Sequence, residues 1–255
     1  MGLLFILMAL FVPATASAAS FTTTRFDDPA PNGCLPADCS LREAIIAANA
    51  TTGSTVTLRS GVYTLTIRGN DTPNPVTKFG DLDIMKPMTI NGAGSGSTYV
   101  QAGASKGAGI HRIFDVFAPA PGVTISNMTI RFGNDVEART GGCVKNTGNL
   151  RLSFVIVTGC MSPKGGGGVS SYANLTVSDS TISNNSATSA SVQVNGGGIA
   201  GGPQTGGAPG LVTIVRSTIT GNSARSSRPN IAYGGGFANT ANMTSGMPIS
   251  RPTCV

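Results

Sequence analysis

The chain has 255 residues, 40% of them hydrophobic, with 35 Gly, 15 Pro, no Trp and 11% charged residues; that balance can bury a core and excludes a disordered chain. Strong helix formers are scarce beside Gly, Ser, Thr, Asn, Val and Ile, which argues against a helical bundle, and the glycines cluster instead of recurring every third position, which excludes collagen. The net charge of +6 arises in residues 140–255, where seven basic residues stand against Asp179 alone, but they form no run of the kind that marks a nucleic-acid patch, and no nucleic-acid partner is expected.

Residues 1–18 read as an export signal. Residues 3–12 are an apolar run of h-region length, followed by Pro13 and an Ala16-Ser17-Ala18 cleavage pattern, although no Lys or Arg precedes the run. It is too short for a membrane span, and no later segment approaches the ~20 apolar residues a span needs.

Residues 19–54 form the next unit, an N-terminal cap. Cys34 and Cys39 are close enough in sequence to close as a disulfide in an oxidising compartment, whereas a metal site would need further ligands that the neighbourhood lacks. Ser40-Leu41-Arg42-Glu43 is a capping box, in which the Ser40 hydroxyl and the Glu43 carboxylate each accept from the other's backbone N–H. Leu41, Ala44, Ile45 and Ala48 follow at helical spacing, which predicts a short helix ending near Asn49. Its single apolar face must cover something. Arg42 and Glu43 are not expected to be a catalytic pair: the cap accounts for Glu43, and Arg42 is expected in solvent.

Two candidate site pairs come next. Asp81 and Asp83 lie at i and i+2, with Lys78 and Lys86 close by, and His111-Arg112 is the other. Both fit an enzyme only weakly, and Asp81 and Asp83 read equally well as turn and outward strand residues.

The rest of residues 55–242 is repetitive. Four segments align, beginning at Val123, Leu150, Leu175 and Val212, with starts 27, 25 and 37 residues apart. Glycine runs followed by an apolar step recur between them, as in Gly141-Gly142-Cys143-Val144 and Gly234-Gly235-Gly236-Phe237. Period-2 alternation predicts strands, and stacking the copies in parallel register predicts two interior columns: Ile125, Leu152, Val177 and Ile214, then Ile130, Val157, Ile182 and Ile219. A unit of about 25 residues of this kind marks a solenoid, and these columns mark an all-β, parallel β-helix. The spacing of 37 places an inserted loop within residues 201–210.

Cys160 takes the turn position that Asn185 and Asn222 hold in the next copies, and Cys143 replaces the last glycine of its run. A disulfide between them and two free thiols remain equal alternatives. Cys254 has no assignable partner. Residues 243–255 do not supply the strand pair that the pattern calls for, so the expectation is a fragment, or a stack whose open end is covered by a second chain or a downstream anchor.

Cys39-Ser40-Leu41-Arg42-Glu43-Ala44-Ile45, with Cys34 upstream and Ala47-Ala48-Asn49 behind it, resembles the CSLREA-type domain that opens many exported bacterial β-helix proteins. Gly61-Val62-Tyr63-Thr64-Leu65, Gly80-Asp81-Leu82-Asp83-Ile84, Met88-Thr89-Ile90-Asn91-Gly92 and Arg112-Ile113-Phe114-Asp115-Val116 continue that likeness. The later repeats resemble those of polymorphic outer-membrane proteins and autotransporter-like passengers. The resemblance spans residues 21–245. It implies a secreted or surface right-handed β-helix of the pectin lyase-like fold, often adhesive, without a known catalytic set.

Three functions follow in order of expectation. The first is a non-enzymatic surface or extracellular protein, adhesive or structural, meeting host or matrix glycans or proteins. The second is a polysaccharide lyase or hydrolase, which would use Asp81, Asp83, His111 or Arg112 and, in a lyase, calcium. The third is a glycan-binding module, disfavoured by the absence of Trp. No cofactor is expected outside the enzyme reading. The balance leans against catalysis, because a repeat half with a single carboxylate supplies no acid–base pair.

Overall fold

The computed structural model describes residues 18–69, 77–119, 121–136, 140–191, 193–202, 210–227 and 232–239. Nearly all of the expected export signal, most of the inserted loop, and the tail with Cys254 lie outside the described residues.

The described chain is mostly β with a single helix, Leu41–Ala48, and every pairing between its strands is parallel. The main path of the largest sheet runs through Ser20–Thr22, Ser54–Thr57, Met88–Asn91, Val123–Arg131, Leu150–Thr158, Leu175–Ser178 and Val212–Val215. A second sheet orders Leu82–Ile84, Phe114–Val116, Val144–Asn146, Val169–Ser171, Ile199–Gly201 and Phe237–Asn239, and a third holds Met161–Ser162, Ser186–Ser189 and Ser223–Ser226. After Leu150–Thr158 the chain passes through the third sheet, then the second, and returns to the first one strand further along. Among the described residues no helix is long and apolar enough to cross a membrane.

Alternation along each strand sends one set of side chains inward. Ile90, Ile125, Leu152, Val177 and Ile214 stand in register, as do Ile130, Val157, Ile182 and Ile219. Leu82, Phe114, Val144, Val169, Ile199 and Phe237 make a third column from the second sheet. Up to Val177, Ile182 and Ile199 these side chains are fully buried, each worth about 1.5–3 kcal/mol relative to exposure. Ile214, Ile219 and Phe237, in the last described strands, are only partly covered.

The bends between strands are also stacked. Asn127, Phe154, Asp179 and Arg216 share one bend, with φ of 56°, 55°, 52° and 46°. Phe132, Gly159, Asn184 and Gly221 share the next, with φ of 60°, 66°, 56° and 61°. Just beyond it, Asn185 is wholly buried: its Oδ1 accepts from the Cys160 N–H, and its Nδ2 donates to the Val157 carbonyl and to Asn222 Oδ1. Cys160 holds the equivalent place one pass earlier and is bonded to Cys143, with Cα atoms 5.5 Å apart. Of the two alternatives for these cysteines, the structure adopts the bridge.

The capping box forms as written: Ser40 Oγ accepts from the Glu43 N–H, and Glu43 Oε2 accepts from the Ser40 N–H. The helix turns Leu41, Ala44, Ile45 and Ala48 into the core. Arg42 corrects the expectation of solvent. Its side chain is fully buried, donating to both carboxylate oxygens of Asp28 at 2.7 and 3.0 Å and to the carbonyls of Thr77 and Gly80. The polar side of the helix meets folded chain instead of water, and a guanidinium satisfies several carbonyls at once.

Candidate functional site

On the outward side of the second sheet, Asp83, Asp115, Lys145, Ser170 and Ala200 stand in register. The strands place them there because Leu82-Asp83-Ile84, Phe114-Asp115-Val116 and Val144-Lys145-Asn146 each bury their first and third residues in the interior. Asp83 and Asp115 are nevertheless only 1% and 2% exposed, so this side of the sheet is covered too.

Arg112 organises the cover. Its Nε pairs with Asp81 Oδ2 at 2.6 Å, its Nη1 lies 3.6 Å from Asp115 Oδ2 and its Nη2 lies 3.5 Å from Asp135 Oδ1. Nη1 also donates to the Thr140 carbonyl at 2.9 Å, and Lys145 Nζ donates to Asp115 Oδ2 at 2.9 Å. Buried charges of this kind persist only when paired and hydrogen-bonded. The structure therefore joins Asp81 to Arg112 and sets Asp83 in register with Asp115. His111 Nε2 accepts from the Gly69 N–H at 3.4 Å. Cys34 and Cys39 are bonded in the cap, and Ser40 and Glu43 hold the helix end.

Sequence reasoning missed Asp115, Asp135 and Lys145 as members of this cluster. For Asp115 and Lys145 a signal existed, since the three triplets align as apolar, charged and inward-facing residues in turn. Asp135 follows the strand Val123–Arg131 in a loop and carries no such mark.

Beyond Lys145 the column shrinks to Ser170 and Ala200, and a cleft of ≈ 260 Å³ opens over these small side chains. Thr140, Lys164, Tyr172, Gln193 and Asn195 line it. The hydroxyls of Thr140 and Tyr172 are 2.9 Å apart, and Gln193 Nε2 donates to Asn195 Oδ1 at 3.2 Å. Lys164 supplies the only charge among the lining residues. Asp179, the one carboxylate in residues 140–255, is engaged by Arg216 at 2.6 Å, and that guanidinium holds its carboxyl below the usual aspartate range. The arrangement can hydrogen-bond a polyhydroxylated ligand through hydroxyls and amides and offer it one cation. Among the described residues no group of three His, Cys, Asp or Glu is placed to hold a metal ion.

No family model, curated protein or solved structure matches the chain.

Proposed function

We propose that the chain is an exported, right-handed parallel β-helix, opened by a CSLREA-type cap, that binds glycans at the cell surface or outside the cell without turning them over. The β-helix reading is supported by three parallel sheets visited in turn and by the strand register, which advances by 25 residues from Leu150 to Leu175. Adhesion then rests on many modest contacts along an extended body.

The observation that carries the function is the cleft over Ser170 and Ala200. It presents hydroxyls, amides, the Tyr172 ring and Lys164, a set suited to sugar hydroxyls and to the acidic groups of matrix glycans. The carboxylates the enzyme reading would use, Asp81 and Asp83, are buried, and Asp81 is committed to Arg112. A buried carboxylate paired in this way suits support of the fold better than proton transfer.

Calorimetric titration with oligosaccharides of pectin, alginate and glycosaminoglycans tests this. Binding heat is expected with the wild type and none with Ala200→Phe, which fills the floor. Equal heats for the two proteins would overturn the cleft as the binding site.

A further inference from the structure

The cleft over Ser170 and Ala200 extends past the residues that line it. Its floor belongs to a column that continues one strand further, since Ala238 stands in register with Ala200. One side continues in the same way: Gly165 pairs with Asn195, and Asn195 stands in register with Tyr233. Strands in register turn matching residues to the same side, so the Tyr233 ring follows the Asn195 amide. That ring is 51% exposed. On the opposite side Gly201 lines the cleft. A Cβ placed on Gly201 would stand 3.1 Å from Asn239 Oδ1, which brings the amide of the next strand alongside.

Together these columns make a trough that crosses the strands. Lys145 closes one end: it stands beside Ser170 in the floor column, and its ammonium is held by Asp115 at 2.9 Å, near the Phe117 ring. From Lys145 to Ala238 there are three strand steps, roughly 14 Å at the usual spacing. A single sugar at Lys164 would leave the Tyr233 step unused.

The trough is also biased in charge. Lys164 lines it and makes no ion pair among the described residues, whereas Lys145 is balanced by Asp115. No Asp or Glu lines the cleft. One uncommitted ammonium beside hydroxyls and amides balances one carboxylate. A polysulfated chain would bring several anions to a trough with one cation, and desolvating the surplus would oppose binding.

Taking the cleft as the glycan site, we infer that it holds an unbranched uronate chain lying across the strands. One sugar carboxylate meets Lys164, and a later ring stacks on Tyr233. The first contact is a charge-assisted bond, about twice as strong as a neutral one, and the second offers the sugar an apolar platform. Lys164 thus sets the preference for an acidic sugar, and Tyr233 the preference for length.

The test is calorimetric titration of the full chain with uronate oligomers of pectin and alginate, two, four and six residues long. Their methyl esters, which keep the sugar and remove the charge, and neutral cello-oligosaccharides are titrated beside them. Affinity is expected to rise with length, and esterification should cost about tenfold. Lys164→Gln should bind acid and ester alike. Tyr233→Ala should lose affinity several-fold for the longest oligomer and none for the shortest, with Tyr233→Phe like the wild type. No loss of folding imitates that pattern. Equal affinity for short and long oligomers, for acid and ester, or binding of the neutral sugar alone would overturn the inference and leave the cleft a glycan site. Binding of no oligomer at all would overturn both.

Discussion

Arg112 and Asp81 form an ion pair of 2.6 Å in which the two side chains are 2% and 4% exposed. The same guanidinium lies within ion-pair distance of Asp115 and Asp135, so one cation serves three buried carboxylates. Replacing it leaves them without their shared partner, and removing one side of a buried pair costs about 3–5 kcal/mol. Arg112→Met should therefore lower stability by that amount in urea denaturation. Arg112→Lys should recover only part of it, because an ammonium lacks the fork that reaches several acceptors. A loss of less than about 1 kcal/mol, the size typical of an exposed pair, would place this cluster in water.

The Cys143–Cys160 bridge closes a segment of 17 residues within the repeats. Loop closure of this length is worth about 2–4 kcal/mol through the unfolded chain. The double variant Cys143→Ala, Cys160→Ala should melt lower by a corresponding margin without reductant present. Mass spectrometry of the intact chain, before and after reduction and alkylation, reads the bridge directly.

Phe154 occupies a left-handed bend that Asn127 and Asp179 fill in neighbouring passes, and its ring is largely exposed. Left-handed backbone costs an ordinary L-residue about 1–2 kcal/mol, whereas Asn and Asp offset part of this by local hydrogen bonding. Phe154→Asn is expected to raise the melting temperature, since little burial is lost with the ring. A lower melting temperature would show that the ring stabilises the bend more than the backbone opposes it.

Burial pushes the Tyr63 phenol above its ordinary range, with the hydrogen bond to Thr23 at 2.6 Å only partly opposing that rise. The folded chain thus favours the neutral phenol. The associated stability is complete below the ordinary tyrosine range and is lost as pH rises through it towards the raised value. Denaturant midpoints measured across that alkaline interval should fall more steeply for the wild type than for Tyr63→Phe. Parallel slopes would remove Tyr63 as the cause.

The interior of this fold was legible because its columns repeat. Ile125, Leu152 and Val177 are spaced by 27 and 25 residues, with Ile214 a further 37 on, past the inserted loop, and apolar alternation makes their register readable before any contact is known. Arg42 was not legible. Its partners Asp28, Thr77 and Gly80 lie 14 to 38 residues away, and a charge on a short helix ordinarily faces water. The site was legible only in part, for the same reason: Asp81 and Arg112 stood out as charges, but their pairing crosses from one strand to the next pass of the chain. The cleft had no sequence mark, because it arises where Ser170 and Ala200 are smaller than Asp115 and Lys145 in the same column.

The central claim is that the protein holds glycan while its buried carboxylates serve the fold. The most direct measurement incubates the protein with the polysaccharides it binds, with and without calcium, and follows new reducing ends and unsaturated products. Binding without product is predicted, for the wild type and for Asp83→Ala alike. Product formed by the wild type and lost in a folded Asp83→Ala variant would contradict it.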